Sequence, residues 1–251
     1  MFTPQGPTFR ELAVQALSST ERGYDLLAPK FDETPFRTPD RVLDEAAAVL
    51  TRLGPFDAGI DLCCGTGAGV DVLRQLCRER VVAVDFSAGM LAAGRRAAEA
   101  TGAAEAAEAA SGPVVDWVRA DVRRLPFGRA FDLAVSFGAF GHFLPKERPA
   151  LFAQVHDALR PGGRFAFPVV APARVCSPLY WALWGFDAVM QARNVLLRPP
   201  FTMYYRTFQL TSVRAELEQV GFTVETAALP GLGFLEDGSP RCRLVVARRA
   251  D

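Results

Sequence analysis

A chain of 251 residues, half of them hydrophobic and 22 % charged, with 28 basic side chains against 28 acidic ones, suits one α/β domain with an elaboration and not two independent domains. That balance carries no electrostatic footprint for nucleic acid. No basic-then-apolar leader opens the chain, and the longest apolar region, residues 178–197, is broken by Asp187, Gln191 and Arg193, so the expectation is a cytoplasmic protein without a membrane span.

The elements follow in chain order. Phe9, Leu12, Ala13, Ala16 and Leu17 repeat at helical spacing and predict an amphipathic first helix. Residues 24–39, YDLLAPKFDETPFRTP, hold too much proline for one helix and are expected to wrap over the domain. A helix over residues 41–53 then ends at Gly54 and Pro55. From there strands and helices alternate: a strand at 58–63, a helix at 70–77, a strand at 81–84, and an alanine-rich helix from Ala88 with Ser87 as its cap. This βαβ grammar implies a parallel sheet. The low-complexity run at 98–112 is given only a surface role. Strands are expected at 114–119, 131–137 and 164–170, the last entered through the turn Arg160-Pro161-Gly162-Gly163, with a helix at 146–159 before it. A helix at 213–220 and strands at 222–228 and 241–248 close the chain. No helix separates the final pair, which therefore reads as an antiparallel hairpin.

The five cysteines, Cys63, Cys64, Cys77, Cys176 and Cys242, lack C-x-x-C spacing, which argues for reduced thiols and against a disulfide framework or zinc site. The two histidines, His142 and His156, give no metal-ligand spacing either.

Gly65, Gly67 and Gly69 follow a buried strand and open a helix, where backbone N–H groups and the positive helix end face a ligand. Asp85, 16 residues beyond Gly69, ends the second strand, where a carboxylate can accept from both hydroxyls of a ribose. A ribose-bearing cofactor follows, either a nicotinamide dinucleotide or S-adenosylmethionine. Dinucleotide sites place their third glycine where this chain has Val70, and the only lysines are Lys30 and Lys146, with no recognisable tyrosine–lysine pair. A nicotinamide-dependent oxidoreductase is thus the disfavoured alternative.

Between Tyr24 and Arg248 the chain resembles the class I S-adenosylmethionine-dependent methyltransferases, in particular the branch that looks like the ubiquinone and menaquinone C-methyltransferases. DLCCGTGAG resembles the first motif, VVAVDFSAGML the second strand with its ribose-binding acid, RADVRRLPF the adenine-contacting segment, and FDLAVSFGAFGHF with LRPGGRFAF the fourth and fifth strands. The resemblance implies a Rossmann-like seven-stranded sheet in the order 3-2-1-4-5-7-6 with strand 7 antiparallel and helices on both faces. It also implies one domain over 1–251, with a helical lid at 1–40 and a substrate-roofing insertion at 172–210.

By the same resemblance Asp61, Gly65 and Gly67 would hold the methionine part of the cofactor, Asp85 the ribose, Asp121 and Val122 the adenine, and Phe86 would stack beside it. Tyr24, Cys63, Thr66, Met90 and Phe137 complete the implied cofactor set. Asp121 also reads as a plain helix cap. His142, at the ligand side of the fourth strand, is the candidate base, with packing among Phe140, Phe143 and Leu144 as the competing reading. Phe31 stands where the branch has a second tyrosine; its face can meet a sulfonium or simply pack the lid. Trp181 and Trp184 on an apolar helix, with Tyr204 and Tyr205 beyond it, are candidate acceptor-binding residues, and the same stripe fits core packing or a dimer interface.

The expectation is an enzyme moving a methyl group from S-adenosylmethionine to O, N or C of a small, rather hydrophobic or aromatic molecule, without metal, as monomer or homodimer. A binding module that keeps the cofactor but not turnover is the third reading.

Overall fold

The computed structural model describes residues 5–105, 112–175, 177–196, 203 and 208–251. An N-terminal strap comes first, made of α1 (Phe9–Leu17), α2 (Thr20–Leu27) and a 3-10 turn (Ala28–Glu33). Thr8 and Glu11 form a reciprocal capping box that starts α1. The proline-rich stretch is therefore more helical at its start than its composition implies, because Ser19 caps α2 by accepting from Arg22 N–H. Then α3 (Asp40–Thr51) leads into alternating elements: β1 (Phe56–Leu62), α4 (Ala68–Leu76), β2 (Cys77–Asp85), α5 (Ala88–Glu105), β3 (Val114–Arg119), β4 (Phe131–Val135), α6 (Arg148–Ala158) and β5 (Leu159–Val170). The chain ends with α7 (Pro178–Leu196), α8 (Leu210–Val220), β6 (Phe222–Ala228) and β7 (Cys242–Arg249).

The strands make one seven-stranded sheet in the order β3-β2-β1-β4-β5-β7-β6. β7 runs antiparallel to both of its neighbours, and the other pairs are parallel. This is the Rossmann-like topology expected from the sequence. The predicted Arg160–Gly163 turn lies inside β5: Phe131 faces Leu159, yet Leu133 faces Arg164, so the intervening residues bulge out, with Gly162 at φ 73°.

Strand alternation divides the core into two layers. Ile60, Val82, Val84, Phe165 and Phe167 pack with α6 and α8. Val81, Ala83, Leu133, Val135 and Ala166 pack with α3, α4 and α5 on the other face. Asp61 belongs by parity to the second face, so its carboxylate lies under α4 in an apolar layer. Reversal of strand order between β1 and β4 opens the sheet at their carboxyl ends, the place where open α/β sheets bind ligands.

The insertion departs from expectation. The apolar helix was expected to bind the acceptor, pack in the core or form a dimer interface, yet of α7 only Asp187 and Met190 are buried. Trp181 and Trp184 are 54 % and 48 % exposed and pair edge to face at 6.0 Å. Met190 is what packs inward, with Leu144 and Met203, while the Arg193 guanidinium donates to the Ser18 carbonyl at 3.0 Å. A helix apolar around most of its girth carries little moment to decide which side faces the domain, so the polar anchors decide. Among the described residues no helix is long and apolar enough to cross a membrane.

Candidate active site

β1 ends in a tight loop. Cys63 takes φ 57° and Gly65 φ 54°, turning the chain so that Cys64 N–H donates to the Val84 carbonyl at 2.9 Å and Gly65 N–H to Asp85 Oδ2 at 3.0 Å. A side chain on Gly65 would meet only Phe31, at 3.9 Å, so the glycine leaves the backbone open toward the strap. Gly69 answers a different demand: a Cβ there would lie 2.4 Å from Asp61 Oδ2, so the carboxylate rests directly on the first turn of α4.

Two cavities meet at this loop. The larger, of 780 Å³, reaches from Asp85, Phe86 and Met90 past Asp121 and Val122 to His142, with Tyr24 and Phe31 contributed by the strap. A smaller one, of 50 Å³, lies between the glycine loop and the strap and is lined by Asp61, Thr66, Gly69, Arg37 and Thr38 among others. Phe31, Phe36, Cys63, Gly65 and Phe137 line both.

Asp85 is buried and accepts from Gly65 N–H and, at 2.8 Å, from Ser87 N–H. Burial pushes its carboxyl up, while those backbone donors pull it down. Each oxygen keeps a lone pair, so a ligand hydroxyl can still be accepted. Asp61 is 1 % exposed, and neither of its oxygens has a hydrogen-bond partner. Burial pushes it well above the usual carboxylate range, with the charges of Asp85 and Asp71 adding to the rise. A buried, unsatisfied carboxyl costs about 1–3 kcal/mol and marks a place where a donor is missing. An α-ammonium group is such a donor, so the residues fit the amino-acid end of S-adenosylmethionine. Cys63 and Cys64 are held as neutral thiols, chiefly by burial and secondarily by nearby carboxylates, consistent with packing and not with nucleophilic chemistry.

Asp121 lines the large cavity and caps a 3-10 turn by accepting from Arg123 N–H at 2.9 Å. Burial works upward on its carboxyl, but the Arg123 guanidinium, 2.8 Å from Oδ2, outweighs it and holds the group below its usual value. The Tyr24 hydroxyl and His142 Nε2 are 2.8 Å apart, with the ring of Tyr24 edge-on to the imidazole at 5.3 Å. Tyr24, assigned to the cofactor from the sequence, is thus also the partner of the candidate base.

Three of the expected site residues stand apart from the cavities, and two more lie outside the described residues. Gly67 does not line either cavity; its φ of 99° starts α4, and a Cβ there would lie 2.9 Å from Trp117. Trp181 and Trp184 do not line them either, because α7 presents that side outward. Tyr204 and Tyr205 lie outside the described residues. From the insertion it is Met203 that reaches the large cavity. Phe36, Arg37 and Arg119 also line the cavities and were missed, since isolated residues in a non-periodic segment or at a strand end carry no spacing signal.

Comparison with known proteins now bears on this geometry. Residues 60–163 match the methyltransferase domain family. The chain is 29 % identical to a 2-phytyl-1,4-naphtoquinone methyltransferase of Nostoc sp. over 57 % of this chain and 61 % of that protein. To the protein of the same description from Synechococcus elongatus it is 29 % identical over 67 % and 70 %. The match thus spans less than two thirds of the Nostoc relative. Among solved structures, a SAM-dependent methyltransferase of Methanosarcina mazei superposes with a TM-score of 0.59 at 17 % identity, over 81 % of this chain and 97 % of that one, which is a likeness of fold.

Proposed function

We propose that this chain, whose residues 60–163 match the methyltransferase domain family and whose sheet is Rossmann-like, is a class I S-adenosylmethionine-dependent methyltransferase that methylates a small, planar, largely apolar acceptor, with a quinol or phenol as the leading class. The observation that carries this reading is the composition of the large cavity: a cofactor floor at Gly65 and Asp85, aromatic and apolar walls of Phe31, Phe36, Phe137, Phe143 and Met203, and the half-buried polar pair Tyr24 and His142, with charged side chains such as Arg119 and Glu147 also in its lining. A cavity with apolar walls and few placed polar groups selects a flat hydrophobic ligand and orients it by those groups. The curated relatives named for a naphthoquinone substrate support the same class.

Bound S-adenosylmethionine supplies a methyl group already activated by its sulfonium, so the protein's part is alignment, for which orientation can contribute about 7–11 kcal/mol. Asp85 would take the ribose hydroxyls and Asp61 the ammonium, anchoring the cofactor from two sides. Phe86, Met90, Asp121 and Val122 would bound the adenine. Thr66 Oγ1 donates to Asp32 Oδ1 at 2.6 Å, which ties the glycine loop to the strap. In the tautomer that carries its proton at Nδ1, His142 accepts at Nε2 from the Tyr24 hydroxyl. The acceptor's hydroxyl proton then passes to Tyr24 Oη as the tyrosine proton moves to His142 Nε2. The acceptor becomes nucleophilic only as the methyl is transferred, the timing general-base catalysis requires.

The test is to incubate the protein with S-adenosylmethionine and a panel of reduced naphthoquinones, phenols and apolar amines, and to weigh the products. Gain of one methyl by a quinol or phenol, with kcat lowered about 10²-fold or more in His142→Ala and Tyr24→Phe at unchanged cofactor affinity, is the expected result. Full turnover by His142→Ala at saturating substrates removes it as the base. Methylation of the amines alone removes the acceptor class.

A further inference from the structure

Two helices of this chain turn apolar side chains outward. On α1 the buried residue is polar, Gln15, while Phe9, Val14 and Leu17 are exposed, Phe9 to 89 %. On α7 the outward side carries Trp181, Trp184 and Val195, the last 84 % exposed. The two helices adjoin, because the Arg193 guanidinium in the last turn of α7 donates to the carbonyl of Ser18, the C-cap of α1. Ser19 and Thr20, next along the chain, line the large cavity, so the apolar helices meet at its rim. Single exposed apolar residues need no explanation, but a set of large ones on adjoining helices marks a surface that meets something less polar than water.

Charge identifies the partner. The carboxylates of the strap helices are engaged: Glu11 with Lys30 at 2.8 Å, Glu21 with Arg119 at 2.7 Å, and Asp25 with Ser87 and Gly89. Asp187, the carboxylate of α7, is buried. Arg10 and Arg22 are exposed and form no ion pair among the described residues. Arg10 stands four residues before Val14, and Arg22 four before the exposed Leu26, so each cation shares a helix face with an apolar side chain.

We propose that α1, α2 and α7 form a docking face for an anionic lipid surface. Phe9, Leu17, Trp181 and Trp184 enter the boundary between head groups and acyl chains, and Arg10 and Arg22 meet the lipid phosphates. Apolar and aromatic side chains with arginines beside them are what helices lying in a lipid interface present. The long arginine stem keeps its charge among the head groups while its methylenes rest on apolar surface, and an indole, apolar in body with one N–H, suits the same boundary. A second copy of the chain fits this face less well. Pairing it with itself would gather Arg10 and Arg22 of both copies, with no unengaged carboxylate on these helices to meet them. The face is read from exposure and charge alone and does not depend on the acceptor class. With it, an apolar acceptor dissolved in lipid reaches the cavity rim at Ser19 and Thr20 without crossing bulk water.

The experiment is sedimentation of the full chain with vesicles of phosphatidylcholine alone and of phosphatidylcholine and phosphatidylglycerol in equal parts. The wild type should bind the anionic vesicles about tenfold more tightly, from two arginines near a charged surface, and the advantage should fade at high salt. Trp181→Ser combined with Trp184→Ser should lose about tenfold or more toward both kinds of vesicle, whereas Arg10→Gln combined with Arg22→Gln should lose affinity for the anionic ones only. The altered side chains are exposed, so both variants should keep the wild-type melting temperature; Phe9→Ser supplies a second reading of the apolar side if the tryptophan variant melts early. No sedimentation with either vesicle, or binding that these substitutions leave unchanged, overturns the face. Equal binding to neutral and anionic vesicles overturns the anionic surface as its occupant. A dimer in light scattering that the tryptophan substitutions dissolve, without vesicle binding, assigns the face to a second copy and overturns the proposal as well.

Discussion

At the scale of single residues, the site is built from carboxylates whose positions cost stability. Asp61 sits in an apolar layer and neither of its oxygens has a hydrogen-bond partner, a placement that costs stability. Its folded-state carboxyl is raised, so the folded chain holds that proton more tightly than the unfolded chain, whose carboxyl titrates near about 3.9. The stabilising contribution is present below that value and is lost as pH rises through the folded-state value. Asp61→Asn, which cannot ionise, is therefore expected to gain in melting temperature relative to the wild type as pH increases from about 4 toward neutrality; calorimetric scans at several pH values check this, and a constant difference would contradict it. Asp85→Ala removes the acceptor for Gly65 N–H and Ser87 N–H and, in the proposed function, the acceptor for the ribose. Affinity for S-adenosylhomocysteine should fall by about 1–3 kcal/mol, the cost of leaving such groups unpaired, read directly by titration. Gly69→Ala places a methyl 2.4 Å from Asp61 Oδ2 and 2.8 Å from a ring carbon of Phe137, with loss of both stability and cofactor affinity expected in melting and titration experiments.

Much of this was legible in the sequence, and the reason is periodicity. Asp85 stands at a fixed place relative to a strand end and a glycine loop, so its location follows once the strands are recognised, while Asp61 came from the family resemblance. Arg37 has no such register, because it belongs to a segment whose path is set by tertiary contacts. The tryptophans of α7 show the opposite failure: their spacing was read correctly as helical, but spacing alone does not say which side of an apolar helix faces the domain.

At the scale of elements, the strap is fastened to the sheet by side chains far apart in sequence. Asp25 of α2 accepts from Ser87 Oγ at 2.6 Å and from Gly89 N–H at 2.8 Å, so a residue of the strap completes the N-terminal cap of α5 with Ser87, the cap expected from the sequence. Arg119 reaches Glu21 at 2.7 Å, an exposed pair of small worth, and Thr66 reaches Asp32. Asp25→Ala should therefore cost about 1 kcal/mol, as lost caps do, and lower the melting temperature by about 2–4 °C for a chain of this size. Limited proteolysis should then cut within residues 5–39 sooner than in the wild type, and S-adenosylhomocysteine should restore protection through the contacts of Tyr24, Phe31 and Arg37 with the cleft. Unchanged cleavage would show that the strap is held by its packing alone. Long-range capping of this kind leaves no local mark in the sequence, which is why Ser87 could be read and Asp25 could not.

At the scale of the whole molecule, the parallel sheet followed from the alternation of elements and the antiparallel final pair from the missing helix before the last strand, both coarse features that survive errors of several residues at each boundary, whereas the strand order came from the family resemblance. The cleft then falls where the order reverses between β1 and β4, and the glycine loop, Asp85, Asp121 and His142 are brought together there from separate stretches of chain. The account's central claim is that this cleft is an S-adenosylmethionine site and not a dinucleotide site. The most direct measurement is titration of the purified protein with S-adenosylhomocysteine beside NAD and NADP. Binding of S-adenosylhomocysteine alone, with a dissociation constant on the order of micromolar, about −8 kcal/mol, is the predicted result; binding of a dinucleotide, or no binding of S-adenosylhomocysteine, would contradict it.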